Sequence, residues 1–263
     1  LAQVHSSSRA SCGQPAPQNL SPQNLTFSME WLGRLYKSIE LLDKAIIKCH
    51  QCPRLVQWRE EVAVTKRKAY ENEKYWGKPV TGFGSTKPKM LIVGLAPAAH
   101  GANRTGRIFT GDSSGDWLYG SLHRIGIAKI PTSTSRDDGQ ELRDTRISMA
   151  VRCAPPENKP TTEERDTCAP FFDNELQLIL PTVRSFVALG NFGWQVLIKA
   201  LKNQGHHIPT TKFGHAAKIT YSHNGLKYLI LGSYHPSQQN TFTGKLTTSM
   251  LDSVLKKGAT FAG

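Results

Sequence analysis

Four of the five cysteines carry the first chemical pattern in the chain. Cys49-His-Gln-Cys52 is a CxxC, and Cys153 and Cys168 follow in a second, distant segment. A CxxC turn presents two thiolates to one centre, and two further thiolates can close an all-cysteine site for zinc or for an iron–sulfur cluster. Spacing does not separate these metals, because both accept four thiolates. The fifth thiol, Cys12, lies in a polar leading stretch. So odd and sparse a set is a poor disulfide framework. No basic start followed by an apolar run marks a secretory signal, so a reducing, cytoplasmic setting is expected.

A second pattern lies in three loops. The stretch Gly94 to Gly115 is rich in small residues, Gly94 and Ala96 among them, and carries Arg104, Arg107, Phe109 and Asp112. Arg152 to Pro160 offers Asn158 two residues beyond a proline pair. His235 to Asn240 places a histidine before a proline. Each residue taken alone has a plain structural reading. His235 suits a turn, Phe109 a core, Asn158 a turn and Asp112 a helix N-cap ahead of Ser113-Ser-Gly115, while Arg104 and Arg107 suit solvated loop charge. Their placement argues otherwise, since every one of these loops follows a buried-strand run.

Those runs are Met90 to Val93, Ile147 to Val151, Phe186 to Leu189 and Tyr228 to Leu231. Helical spacing is predicted over Asp116 to Ile125, Phe192 to Leu201 and Leu246 to Leu255, with a capped start at Thr161-Thr-Glu-Glu164. Alternating strands and helices predict one α/β domain on a largely parallel sheet, where ligands bind beyond the carboxyl ends of the strands. Upstream, Trp31, Leu32, Leu35, Ile39, Leu42 and Ile46 recur at helical spacing and lead into the CxxC. The basic stretch Arg54 to Lys78 reads as helix or loop. Residues 1 to 28, rich in Ser, Gln, Asn and Pro, are expected to be a disordered lead, leaving 29 to 263 as the folded domain.

Composition narrows the partner. Hydrophobic residues at 38% support a packed core, and no apolar run reaches the roughly 18 residues a membrane helix needs. The 33 basic against 20 acidic residues leave +13, a surplus that favours a polyanion, with nucleic acid first.

Taken in order, these segments resemble the uracil-DNA glycosylase superfamily, and within its iron–sulfur branches family 5, the type-b enzymes of bacteria and archaea. The residues that carry the likeness are Cys49-His-Gln-Cys52-Pro-Arg-Leu55, Gly94-Leu-Ala-Pro-Ala-Ala-His-Gly-Ala-Asn-Arg-Thr-Gly-Arg-Ile-Phe-Thr-Gly-Asp112, Arg152-Cys-Ala-Pro-Pro-Glu-Asn-Lys-Pro160, Cys168 and His235-Pro-Ser-Gln-Gln-Asn240. The resemblance implies a three-layer αβα sandwich around a central four-stranded parallel sheet. It implies a 4Fe-4S cluster on Cys49, Cys52, Cys153 and Cys168, structural rather than redox-active. It implies a monofunctional hydrolase of base excision repair that everts a damaged nucleotide from DNA and removes uracil, acting as a monomer.

The likeness also distributes roles. Phe109 matches the ring on which the everted base stacks, with Gly94 and Ala96 lining its pocket. His235 matches the histidine that donates to the base carbonyl. Ser237 to Asn240 match the loop that enters the minor groove. Leu95 and Ala96 stand where many relatives carry a water-orienting acid or amide, an absence family 5 shares, so Asp112 and Asn158 are expected to take over that task, with His100 next. Met149 stands where family 4 has a uracil-reading asparagine, which predicts a looser pocket that also admits hypoxanthine. The competing expectations are a strict family 4 type enzyme, a catalytically silent cluster-bearing DNA-binding module and a zinc-bound structural protein.

Overall fold

The computed structural model describes residues 35 to 263. The expected lead, and the part of the first predicted helix before Leu35, lie outside the described residues. That helix, α1 (Ile39–Ile47), starts later than its apolar spacing predicts. Ser38 takes an extended conformation and its side chain accepts from the Leu41 N–H, an N-cap that stops the helix from reaching upstream. Leu35 is accordingly exposed ahead of the helix instead of on its buried face.

Among the described residues, six strands form one sheet in the order β1-β3-β2-β4-β6-β5. They are β1 (Phe83–Gly84), β2 (Met90–Gly94), β3 (Thr145–Met149), β4 (Ser185–Leu189), β5 (Lys218–His223) and β6 (Leu226–Ser233). The central four, β3-β2-β4-β6, are all parallel, as expected. The antiparallel edge strands β1 and β5 were not predicted. For β5 the signal was present. Lys218 to His223 alternates exposed and buried residues, and Asn224-Gly225, both at positive φ, is a strong hairpin turn between two strands.

Side-chain alternation builds a layer on each face of the sheet. Met90, Ile92, Val187, Leu189, Leu229 and Leu231 point to one side, where α4 (Ser113–Arg124) and α8 (Thr248–Ala262) cover them with Leu118, Leu122, Leu251 and Leu255. Leu91, Val93, Phe186, Ala188 and Ile230 point to the other, under α5 (Thr162–Ile179) and α6 (Asn191–Asn203). The stretch left open between helix and loop is both: α2 (Pro53–Thr65) and then a strap from Lys66 to Lys78 with one short 3-10 turn. Two short helices complete the set, α3 (Ala102–Thr105) and α7 (Gln238–Phe242).

A buried ion cluster fastens β3 to α5. Glu175 is ion-paired with both Arg146 and Arg152 and accepts from Ser148, and all three charged side chains are almost fully buried. Burial opposes its ionisation, yet Arg152 and Arg146 hold the Glu175 carboxyl at about 2. Removing the carboxylate strands two buried guanidinium groups, so Glu175→Ala is expected to cost about 3–5 kcal/mol of stability, read from the midpoint shift in urea unfolding.

Candidate active site

Because the central strands run in one direction, their carboxyl ends share one rim. The loops leaving β2, β3, β4 and β6 enclose a cavity of about 850 Å³ there. It is lined by Ala96, His100, Phe109 and Asp112 after β2, Asn158 after β3, Asn191 after β4 and His235 after β6. The predicted loops are thus brought together, and a fourth loop, after β4, joins them.

Phe109 sits at φ 50, a left-handed conformation that costs a bulky residue energy and is held only by its surroundings. Two glycines make room for it. A Cβ on Gly94 would lie 3.0 Å from the Phe109 ring, and one on Gly115 would lie 2.1 Å from the Phe109 carbonyl oxygen. Gly94 therefore serves the pocket by admitting the ring. The Phe109 ring lies 5.7 Å from the His235 ring at an interplanar angle of 31°.

Arg104 and Arg107 are neither solvated nor turned to a ligand. Arg104 donates to the His100 and Gly111 carbonyls and pairs with Glu73, while Arg107 bonds Thr110, Ser133 and Asp138. Both are buried struts of the Phe109 loop.

Asp112 is the N-cap of α4, its Oδ1 accepting from the Gly115 N–H at 2.9 Å. The N-cap expectation is met, and the same residue lines the cavity. Its second oxygen occupies the place a Cβ on Gly101 would take, 1.9 Å away. Burial pushes the Asp112 carboxyl above the ordinary carboxylate range. Asn158, at φ 56, is exposed on the rim.

Asn240 does not line the cavity. Its amide donates to the His235 carbonyl at 2.8 Å and so holds the loop that carries the histidine. Ser237 to Asn240 begin the helical turn α7, and Ser237, Gln238 and Gln239 reach the cavity edge. Met149 is wholly buried in the core. Sequence reasoning missed Trp58, Arg67 and Tyr70, which also line the cavity. The signal was the basic stretch with interleaved aromatics, whose place in the fold no local pattern reveals.

A second, small cavity is lined by the four cysteines. Cys49 and Cys52, between α1 and α2, face Cys153 after β3 and Cys168 on α5. Arg54 clamps the start of α2 to Glu164 of the Thr161–Glu164 capping box with two bonds of 2.7 Å. Arg59 is wholly buried, donates to Cys153 Sγ at 3.0 Å and to the Cys49 carbonyl, and keeps its Nε without a partner. The Arg152 N–H donates to Cys168 Sγ. Burial pushes all four thiols up, Cys52 to about 12 and Cys153 to about 11, so thiolates here need a bound cationic centre. A buried guanidinium that reaches Glu60 only at 3.5 Å and keeps its Nε unpartnered, with sulfurs that accept N–H bonds, suits such a thiolate-held group.

A profile described as the uracil DNA glycosylase superfamily matches residues 81–257. The chain belongs to this superfamily. It is 51% identical over 226 residues to the type-5 uracil-DNA glycosylase of Mycobacterium bovis, covering 86% of this chain and 82% of that protein. It is 46% identical to the type-5 enzyme of Thermus thermophilus, covering 85% and 98%. Likeness to the type-4 uracil-DNA glycosylase of Archaeoglobus fulgidus is lower, 28% over 60% of this chain.

Burial pushes the His235 imidazole down to about 4, so it is neutral across the physiological range. In the unfolded chain its pKa is about 6.5. As pH falls from 6.5 toward 4 the unfolded state binds the extra proton first, so this group's share of stability is lost over that window. Imidazole NMR is expected to show His235 titrating near 4, and His235→Ala should flatten the acid limb of the stability curve.

Proposed function

We infer that this protein is a type-5 uracil-DNA glycosylase, a hydrolase of base excision repair that removes uracil from DNA. The observation that carries the reading is the convergence of Phe109, Asp112, Asn158 and His235 on one cavity at the strand ends. A target base inside a duplex is out of reach, so the nucleotide is everted at a cost of a few kcal/mol, least at a mismatched pair. Phe109 offers a ring of fixed orientation for the base to stack on. His235, kept neutral, donates a hydrogen bond to the base carbonyl as negative charge grows there, which makes the base a better leaving group.

Positive charge grows on the sugar at the same time. Asp112 is placed to stabilise it and, with Asn158, to direct the attacking water. Its raised pKa sets an acid limit: protonation removes the charge, so the rate is lost as pH falls through a value above the usual carboxylate range. Met149 lies in the core and carries no amide that could read the uracil edge, which supports acceptance of hypoxanthine beside uracil. The basic surplus supports phosphate contacts whose strength falls steeply with salt.

The reading includes a 4Fe-4S cluster on Cys49, Cys52, Cys153 and Cys168. Bound there, it supplies a covalent clasp rather than electron transfer, since glycosidic hydrolysis moves no electrons. The clasp joins the α1–α2 turn to β3 and α5.

Incubation with uracil-containing duplex followed by alkali is expected to give strand breaks. His235→Ala should slow base release by about 10²–10³-fold. Binding without breaks in the wild type would leave a silent DNA-binding module instead. Hypoxanthine in the same duplex should be released by the wild type, and strict uracil selectivity would remove the loose-pocket reading. The purified protein should be brown, and Cys168→Ser should lose that visible absorbance and melt at a lower temperature.

A further inference from the structure

The strap supplies groups to the cavity that base removal, as described, does not use. It is fixed in place: the Trp76 N–H donates to the Arg104 carbonyl at 2.8 Å, and the Gly77 N–H to the Asn103 carbonyl at 3.0 Å. Arg104 stacks over Tyr70, its guanidinium carbon 3.9 Å from the ring centroid. The strap therefore forms a firm wall of the cavity through Arg67 and Tyr70.

Within that wall the buried Tyr75 hydroxyl bonds His100 Nδ1 at 3.0 Å. The Arg67 backbone N–H faces the same hydroxyl oxygen. Where the hydroxyl donates to Nδ1, the ring carries its own proton on Nε2. Nε2 makes no bond within the described residues, and His100 lines the cavity. The Arg67 guanidinium is likewise without a carboxylate partner among the described residues, whereas Arg104 and Arg107 are fully engaged. The indole N–H of Trp58, another lining residue, is buried with no acceptor.

We propose that the His100 Nε2–H and the Arg67 guanidinium grip a backbone phosphate flanking the everted nucleotide, with Tyr75 as the positioning residue that fixes the His100 tautomer. An anion is the fitting ligand because a donor-only nitrogen stands beside a permanent, unpaired cation. Burial, with Arg67 and Arg104 nearby, holds the His100 imidazole below its ordinary pKa. The opposing charges are Glu157, which also lines the cavity and pairs with Lys159 at 3.4 Å, and Asp112, which lies against the neighbouring Gly101 but commits one oxygen to the α4 N-terminus. The base anion already has its donor in His235. This assignment rests on the glycosylase reading for the identity of the ligand strand.

The test uses duplexes carrying 2′-fluoro-2′-deoxyuridine, which resists hydrolysis, with single neutral methylphosphonates stepped along the lesion strand. Binding is read by fluorescence anisotropy. His100→Ala is expected to raise Kd about tenfold on the all-phosphate duplex, the scale of one hydrogen bond to a charged group. At one flanking position the methylphosphonate should weaken the wild type similarly and His100→Ala no further. Tyr75→Phe, folded by circular dichroism, should raise Kd less and on the same phosphate. On hydrolysable DNA the loss in His100→Ala should fall on KM, equally for uracil and hypoxanthine.

Additive losses at every methylphosphonate position would overturn the proposal, as would a loss confined to kcat or to one base. Failure of the wild type to release any base would instead overturn the glycosylase reading, while the anisotropy series still decides the phosphate contact.

Discussion

The common direction of β2, β3, β4 and β6 is the constraint on which the site depends. A parallel strand cannot return through a tight hairpin, so each crosses over through a helix and every loop leaving a carboxyl end emerges at the same rim. Residues as distant in the chain as Phe109, Asn158 and His235 thereby meet around one cavity. The edge strands run the other way and contribute none of the lining residues discussed here. They close the sheet flanks and leave the rim to the crossovers.

The charged residues divide by burial more than by sign. Arg59, Arg104, Arg107, Arg146 and Arg152 are all buried, and each donates to carbonyls, hydroxyls, carboxylates or sulfur within the fold. They make the loops rigid, which a strained residue such as Phe109 requires. The imidazole of His235 is stripped of charge by the same burial, which suits the donor role proposed for it. Part of the surplus of basic residues is thus structural, and the remainder supplies the exposed charge that a polyanion meets.

The cysteine site and the strand-end cavity share an element. On α2, Arg59 turns to Cys153 while its neighbour Trp58 lines the cavity, and the Asn103 amide of the Phe109 loop donates to the Arg59 carbonyl. A group bound on the four thiols would therefore steady one wall of the cavity as well as the packing of α5 on the sheet.

Much of this was legible in the chain. The apolar runs at Met90, Ile147, Phe186 and Tyr228 mark the four parallel strands because a strand buried on both faces needs an unbroken apolar sequence. Glycines, the CxxC and the His-Pro turn mark where chemistry belongs, since each is a local demand on backbone or donor type. Asn224-Gly225 was equally local and simply went unread. What no local pattern contains is the partner of each polar side chain. That Arg104 and Arg107 are struts, that Asn240 holds the His235 carbonyl and that Tyr75 meets His100 follow only from chain segments brought together by the sheet. The sequence determined which elements form and which residue types stand at their ends. The tertiary structure decided which of those residues face the cavity, because burial and hydrogen-bond pairing are set by neighbours remote in the chain.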